Sequence, residues 1–190
     1  MWKEIVEDRY MFRPETLYNI EFKKVESIEE KIYVKECFKQ KDFQMFIGID
    51  EKVACEFMII RNSKQKLGIF CPNIKVNLGI KNAIPIVYMS YRKSIYTMLV
   101  MNSIIKYLFS NKKVERVEVR VLDVNSQMLQ LIKKTPFIYE GYLENRCVYK
   151  NNYIGMHYYS LLEYEFERLL KNSESDRELW TPDKTSWVCQ

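Results

Sequence analysis

Hydrophobic residues recur along this chain at two spacings, every second position or every third to fourth, and the switches between them predict its elements. Residues 17–25 alternate loosely and predict a first strand. Ser27 with Glu30 three places on is the capping-box order, predicting a helix to about Gln40 with Ile28, Ile32 and Cys37 inward. Residues 42–49 and 53–61 read as strands joined at Gly48-Ile49-Asp50-Glu51, and residues 65–71 as another, stopped by Pro72. A polar loop is expected over 72–82 and a strand over 83–91. Ile95, Met98, Met101, Ile105 and Leu108 then step by three or four along one helical stripe.

The clearest alternation covers 114–122, where Val117, Val119 and Val121 face one way and Arg116, Glu118 and Arg120 the other. Asp123 or Asn125 can cap a helix through Lys134 with Met128, Leu131 and Ile132 inward, ended by Pro136. Residues 137–146 and 156–162 predict two last strands around Lys150-Asn151-Asn152, with a helical turn or two over 163–170. The order predicts an α/β, or mixed α+β, fold with helices flanking one sheet. Residues 1–170 read as a single domain and 171–190 as a polar tail carrying Pro182, Trp180 and Trp187.

Composition narrows the class without naming the chemistry. A chain of 190 residues that is 47% apolar can bury a sizeable core and is not a disordered segment. No run of about 18 apolar residues predicts a membrane span, and Met1-Trp2-Lys3-Glu4 lacks a secretory order, so a cytoplasmic protein is expected. The five cysteines are scattered without a CxxC pair, and with one histidine they argue against a metal site. The net charge of +5 is spread along the chain, which makes nucleic acid an unlikely partner. No Ser-His-Asp order, Walker loop or dinucleotide fingerprint suggests another reaction class.

Arg92 stands before the stripe helix, Asn125 follows it by 33 positions and Phe137 follows Asn125 by 12. Glu140-Gly141 and Tyr159-Ser160-Leu161-Leu162 close the series. Those intervals resemble the GNAT superfamily (GCN5-related N-acetyltransferases), in particular the branch acting on ribosomal-protein N-termini and small amines. The resemblance implies a mixed, mostly antiparallel central sheet of six to seven strands flanked by helices. It also implies transfer of an acyl group, usually acetyl, from acyl-CoA to an amine of a small molecule or peptide.

In that family a strand splayed from its neighbour offers backbone groups to pantetheine, here Val87 and Met89, with Met89 polarising the thioester carbonyl. The turn opening the next helix holds the pyrophosphate, here Arg92, Lys93, Ser94, Ile95, Tyr96 and Thr97. The family's turn carries glycines, and this one carries none. Asn125 either meets the cofactor arm or caps its helix. Met128, Ile132 and Pro136 depart from the family's small residue, tyrosine and glycine. For the proton chemistry the candidates are His157, Tyr159 and Glu56, with Tyr88, Ser90 and Tyr158 behind them. His157 is a candidate because histidine is the side chain that ordinarily titrates near neutrality, and the alternative, a structural histidine on the last strand, stays open. Two alternatives stay open: a non-catalytic module of the same shape that binds a partner or dimerises through its last strands, and an RNA-associated factor.

Overall fold

The computed structural model describes residues 20–40, 57–61, 65–90 and 94–178. The strand expected over 42–49, its turn at 48–51 and the start of the strand from residue 53 lie outside them.

Strand β1 (Ile20–Lys24) pairs antiparallel with β2 (Phe57–Arg61), and β2 with β3 (Gln65–Cys71). Between β1 and β2 runs α1 (Ile28–Phe38), started by the expected capping box: Ser27 Oγ accepts from the Glu30 amide at 3.2 Å, and Glu30 Oε2 accepts from the Ser27 amide at 2.9 Å. The inward face differs in part from expectation. Cys37 is buried as expected, but Ile28 is 77% and Ile32 53% exposed, and Glu30 and Val34 are buried in their place. The cap fixes the helix's rotation by turning Glu30 toward Lys23 on β1, 2.6 Å away, and the apolar positions on that same side follow. Those bonds, led by Lys23, hold the Glu30 carboxyl down at about 2.

The loop expected over 72–82 is instead a tight hairpin of β4 (Ile74–Asn77) and β5 (Ile80–Ala83). Leu78 and Gly79 make its turn with φ of 50° and 83°, the left-handed pair that suits the twist of a two-residue hairpin. The strand expected over 83–91 is shorter, because Ala83 belongs to β5 and only Ile86–Met89 forms β6. β6 pairs with β3, ending at Cys71↔Ile86, and the β4–β5 ladder takes up the same register at Ile74↔Ala83. Pro72 therefore faces Pro85 at the break. Neither has an amide hydrogen to give a ladder. Asn73 repairs the join, accepting from the Ile84 amide and donating its side-chain amide to the Ile84 carbonyl at 3.1 Å.

Helix α2 (Ser94–Ser110) leads to β7 (Arg116–Leu122), α3 (Ser126–Ile132), β8 (Ile138–Tyr149), β9 (Asn152–Leu162) and α4 (Glu163–Glu178). Among the described residues the sheets are ordered β1-β2-β3-β6 and β4-β5-β7-β9-β8. If β3 with β4, and β6 with β5, are each counted as one bent strand, the order contains the expected seven strands. All neighbours are antiparallel except β5 and β7. The last helix is longer than expected, so the tail predicted from residue 171 begins as helix.

Alternation along the strands builds two cores. Phe57, Ile59, Phe70, Val87 and Met89 join the main one with Val100, Ile104 and Leu108 of α2, Ile132 of α3 and Phe166 of α4. Met58 and Ile69, on the other face, join Val34 and Cys37 of α1. Each fully buried aliphatic side chain contributes about 1.5–3 kcal/mol. Helix α2 is buried on a broader front than its predicted stripe, because Phe109 stacks on Phe166 at 5.1 Å.

Candidate active site

The chain makes a gap where β6 leaves β7. The parallel ladder of β5 and β7 consists of Asn82↔Arg116 and Ala83↔Val117. Past the Ile84-Pro85 bend the strand turns to β3, and among the described residues nothing pairs with its other edge. Ser90 donates its amide to the Leu67 carbonyl at 2.8 Å. Since amides alternate in direction along an antiparallel strand, Val87 and Met89 aim their N–H and C=O groups away from β3, into the gap. Gly68 lets β6 approach β3 this closely, because a Cβ there would overlap the Tyr88 carbonyl oxygen.

Six residues on from Ala83↔Val117, in either strand, stand Met89 and Asp123. The Asp123 carboxylate gathers three strands. Oδ2 accepts from the Tyr142 hydroxyl of β8 at 2.7 Å and from the Gly155 amide of β9 at 3.1 Å. Oδ1 lies 2.8 Å from His157 Nε2. The Tyr142 bond first, then those from Gly155 and His157, hold the Asp123 carboxyl below its ordinary range. The same contact pushes Tyr142 up to about 12, so its phenol stays protonated.

A bulge makes the cluster possible. Tyr139 pairs with Tyr159 and Gly141 with Tyr158, which leaves Glu140 extra and brings positions 139 and 142 to one face. Their rings lie 5.9 and 4.8 Å from the His157 ring. Gly155 matters in turn, since a Cβ on it would stand inside the Tyr142 ring. On the other face Glu140 bonds Arg116 and Ser160, and Arg120 bonds Glu118 at 2.6 Å. The charged face of β7 is thus a tied ionic layer, with Glu118 buried.

No family model and no curated relative matches the chain, so the likeness to known proteins is one of shape. The Vibrio cholerae spermidine N-acetyltransferase in complex with CoA and spermine superposes with a TM-score of 0.65 at 10% identity, covering 80% of this chain and 99% of that one. A GNAT-family acetyltransferase from Bacillus anthracis gives 0.60 at 18% identity, with 77% and 96% covered. A chimera of the Vibrio cholerae enzyme and hSSAT gives 0.64 at 12%, with 78% and 98% covered. This is the GNAT fold.

On that fold the expected residues fall into three groups. Val87, Met89, Asn125 and His157 border the gap or the strand ends beside it. Asn125 caps α3, its side-chain oxygen accepting from the Met128 amide at 3.1 Å, which leaves a cofactor contact through its nitrogen open. Tyr159 is 5% exposed and belongs to the main core, where burial raises its phenol's pKa. Ser90 gives its hydroxyl to the Leu67 carbonyl at 2.9 Å, a bond that holds the end of β6. Tyr33 of α1 packs against it at 3.3 Å, and burial pushes that phenol up to about 12. Glu56, Arg92 and Lys93 lie outside the described residues, as do the side chains of Ser94, Ile95 and Tyr96. Thr97 lies in the first turn of α2. Sequence reasoning missed the partnership of Asp123 with Tyr142 and Gly155. A carboxylate at the exit of the most clearly alternating strand was the available signal.

Proposed function

We propose that this chain transfers an acyl group, acetyl in the first instance, from coenzyme A to an amine of a small molecule or peptide. The observation that carries the reading is the pair of peptide groups at Val87 and Met89, on a strand edge that pairs with nothing among the described residues, shortly before the start of α2. Such an edge can pair with pantetheine amides as a missing strand would. The Met89 N–H is then the donor for the thioester oxygen as it gains charge. The peptide N–H groups over Arg92, Lys93, Ser94, Ile95, Tyr96 and Thr97 are the pyrophosphate cradle, aided by the helix dipole. Those donors belong to the backbone and need no glycine, although bulky neighbours narrow the approach. Asn125 orders the opposite wall.

His157 is the group that takes the acceptor's proton. The CoA and spermine bound by the Vibrio cholerae enzyme support a small-amine acceptor. No described helix is long and apolar enough to cross a membrane, and Cys37, Cys71 and Cys147 form no disulfide among the described residues, which suits a cytoplasmic enzyme.

A second reading is favoured by Ile132. It is 0% exposed where amine acetylators of this fold carry a tyrosine, and the phosphate turn lacks glycine. On that reading the chain is a non-catalytic module that dimerises through its last strands, where Leu143 and Val148 are exposed.

Calorimetric titration with acetyl-CoA, followed by mass spectrometry of spermidine and N-terminal peptides incubated with both, separates the two. Saturable heat with an acetylated amine supports the transferase. Silence at millimolar acetyl-CoA makes the module the better account. Lys93→Glu should weaken binding and leave thermal stability nearly unchanged, and an equal loss of both contradicts the cradle.

A further inference from the structure

We propose that Asp123 is a positioning residue that locks His157 as the Nε2–H tautomer and makes Nδ1 the proton-accepting atom of the site. The inference rests on the acyltransferase reading and adds to it the atom that moves the proton.

The geometry fixes the assignment. The carboxylate of Asp123 is held in its ionised form, first by the Tyr142 hydroxyl and then by the Gly155 amide. An ionised carboxylate only accepts, so the nitrogen 2.8 Å from Oδ1 must carry the hydrogen, and in the neutral ring the lone pair lies on Nδ1. Among the described residues the ring meets the titratable side chains of Asp123, Tyr139 and Tyr142. Tyr142 keeps its proton and gives its hydrogen bond to Asp123, so it does not compete for Nδ1. Gly155 supplies the bare backbone over which that phenol reaches the carboxylate. His157 pairs with Val121 near the end of β7, and Asp123 closes that strand at the height of Met89 across the gap.

The proton account closes. The acceptor ammonium gives one proton to Nδ1, and Asp123 stabilises the resulting imidazolium. The neutral amine forms the C–N bond as the C–S bond breaks, and its second surplus proton leaves with the thiolate as the free thiol. The imidazolium then returns its proton to solvent.

Because His157 is the chain's only histidine, the test needs no assignment. Long-range nitrogen-proton NMR of the ring near neutral pH should show the hydrogen on Nε2 in the native chain, with that preference lost in Asp123→Asn. A hydrogen on Nδ1 in the native chain, or an unchanged tautomer in Asp123→Asn, overturns the proposal. In transfer from acetyl-CoA to spermidine, His157→Ala should lose about 100-fold or more in kcat and recover with added imidazole. Asp123→Asn should lower kcat with little change in the KM for acetyl-CoA. An active His157→Ala, or one that imidazole does not restore, refutes the proton role while leaving the transferase standing. A native chain that binds no acetyl-CoA defeats the transferase reading and this proposal with it, and is told apart by the calorimetry alone.

Discussion

The phenol of Tyr142 crosses the bare backbone of Gly155 to reach Asp123 at 2.7 Å. A methyl at position 155 would occupy the space of the ring, but the displaced part is the outer end of a half-exposed side chain. Gly155→Ala should therefore fold, with a small drop in melting temperature, while Tyr142 swings clear. The phenol should then ionise nearer pH 10 than about 12. The check is an ultraviolet titration differenced against Tyr142→Phe. An unmoved phenol would mean that the contact does not hold the tyrosine.

Glu30 predicts the shape of acid unfolding. Its folded carboxyl sits at about 2 against an ordinary 4.5, so its contribution is complete above 4.5 and fades as pH falls toward 2. Urea midpoints followed from pH 7 downward should decline through that window in the native chain. Glu30→Gln should show a shallower decline across the same interval and a lower midpoint at pH 7.

Gly68 tests whether β6 can give way. An alanine there meets the Tyr88 backbone, which has no rotamer to escape into. The expected cost is about 3 kcal/mol or more, at the upper end for overpacking. Denaturant melts measure it. Where the variant still folds, acetyl-CoA binding should weaken, because β6 carries Val87 and Met89.

Phe166 tests the last helix. Its ring stacks on Phe109 and is buried in the main core. Phe166→Ala should cost about 3–5 kcal/mol. A loss below about 1 kcal/mol in chemical denaturation would show that α4 adds little to the core.

The parts legible in the sequence were those governed by local rules. The capping box of Ser27 and Glu30 and the alternation of Val117 and Val121 appear as read, and of the stripe on α2 Met101, Ile105 and Leu108 are buried. The β4–β5 hairpin escaped because its apolar residues, among them Val76, Leu78 and Ile80, are exposed, and its turn is Leu-Gly, which is less distinctive than Asn-Gly. The inward face of α1 was misjudged because a charged residue, Glu30, lies inside and an ion pair set the rotation.

The candidate site divides in the same way. Met89 was named from the family resemblance and His157 from its ordinary titration range, and both border the gap or the strand ends beside it. The grip of Tyr142 on Asp123 could not be named, since it depends on one surplus residue in β8, at Glu140, which moves position 142 onto the face of position 139.

Pro72 and Pro85 face one another where the long hairpin bends. The missing hydrogens are a property of the imino acids themselves, so solvent, temperature and occupancy do not restore them. By the alternation that turns Val87 and Met89 outward, the hydrogen Pro85 lacks would have pointed to the β7 side, so the strand bearing Met89 has no bond to give β7 at that point before any guest arrives. Whatever enters the opening meets a doorway already framed and spends none of its affinity prying the strands apart.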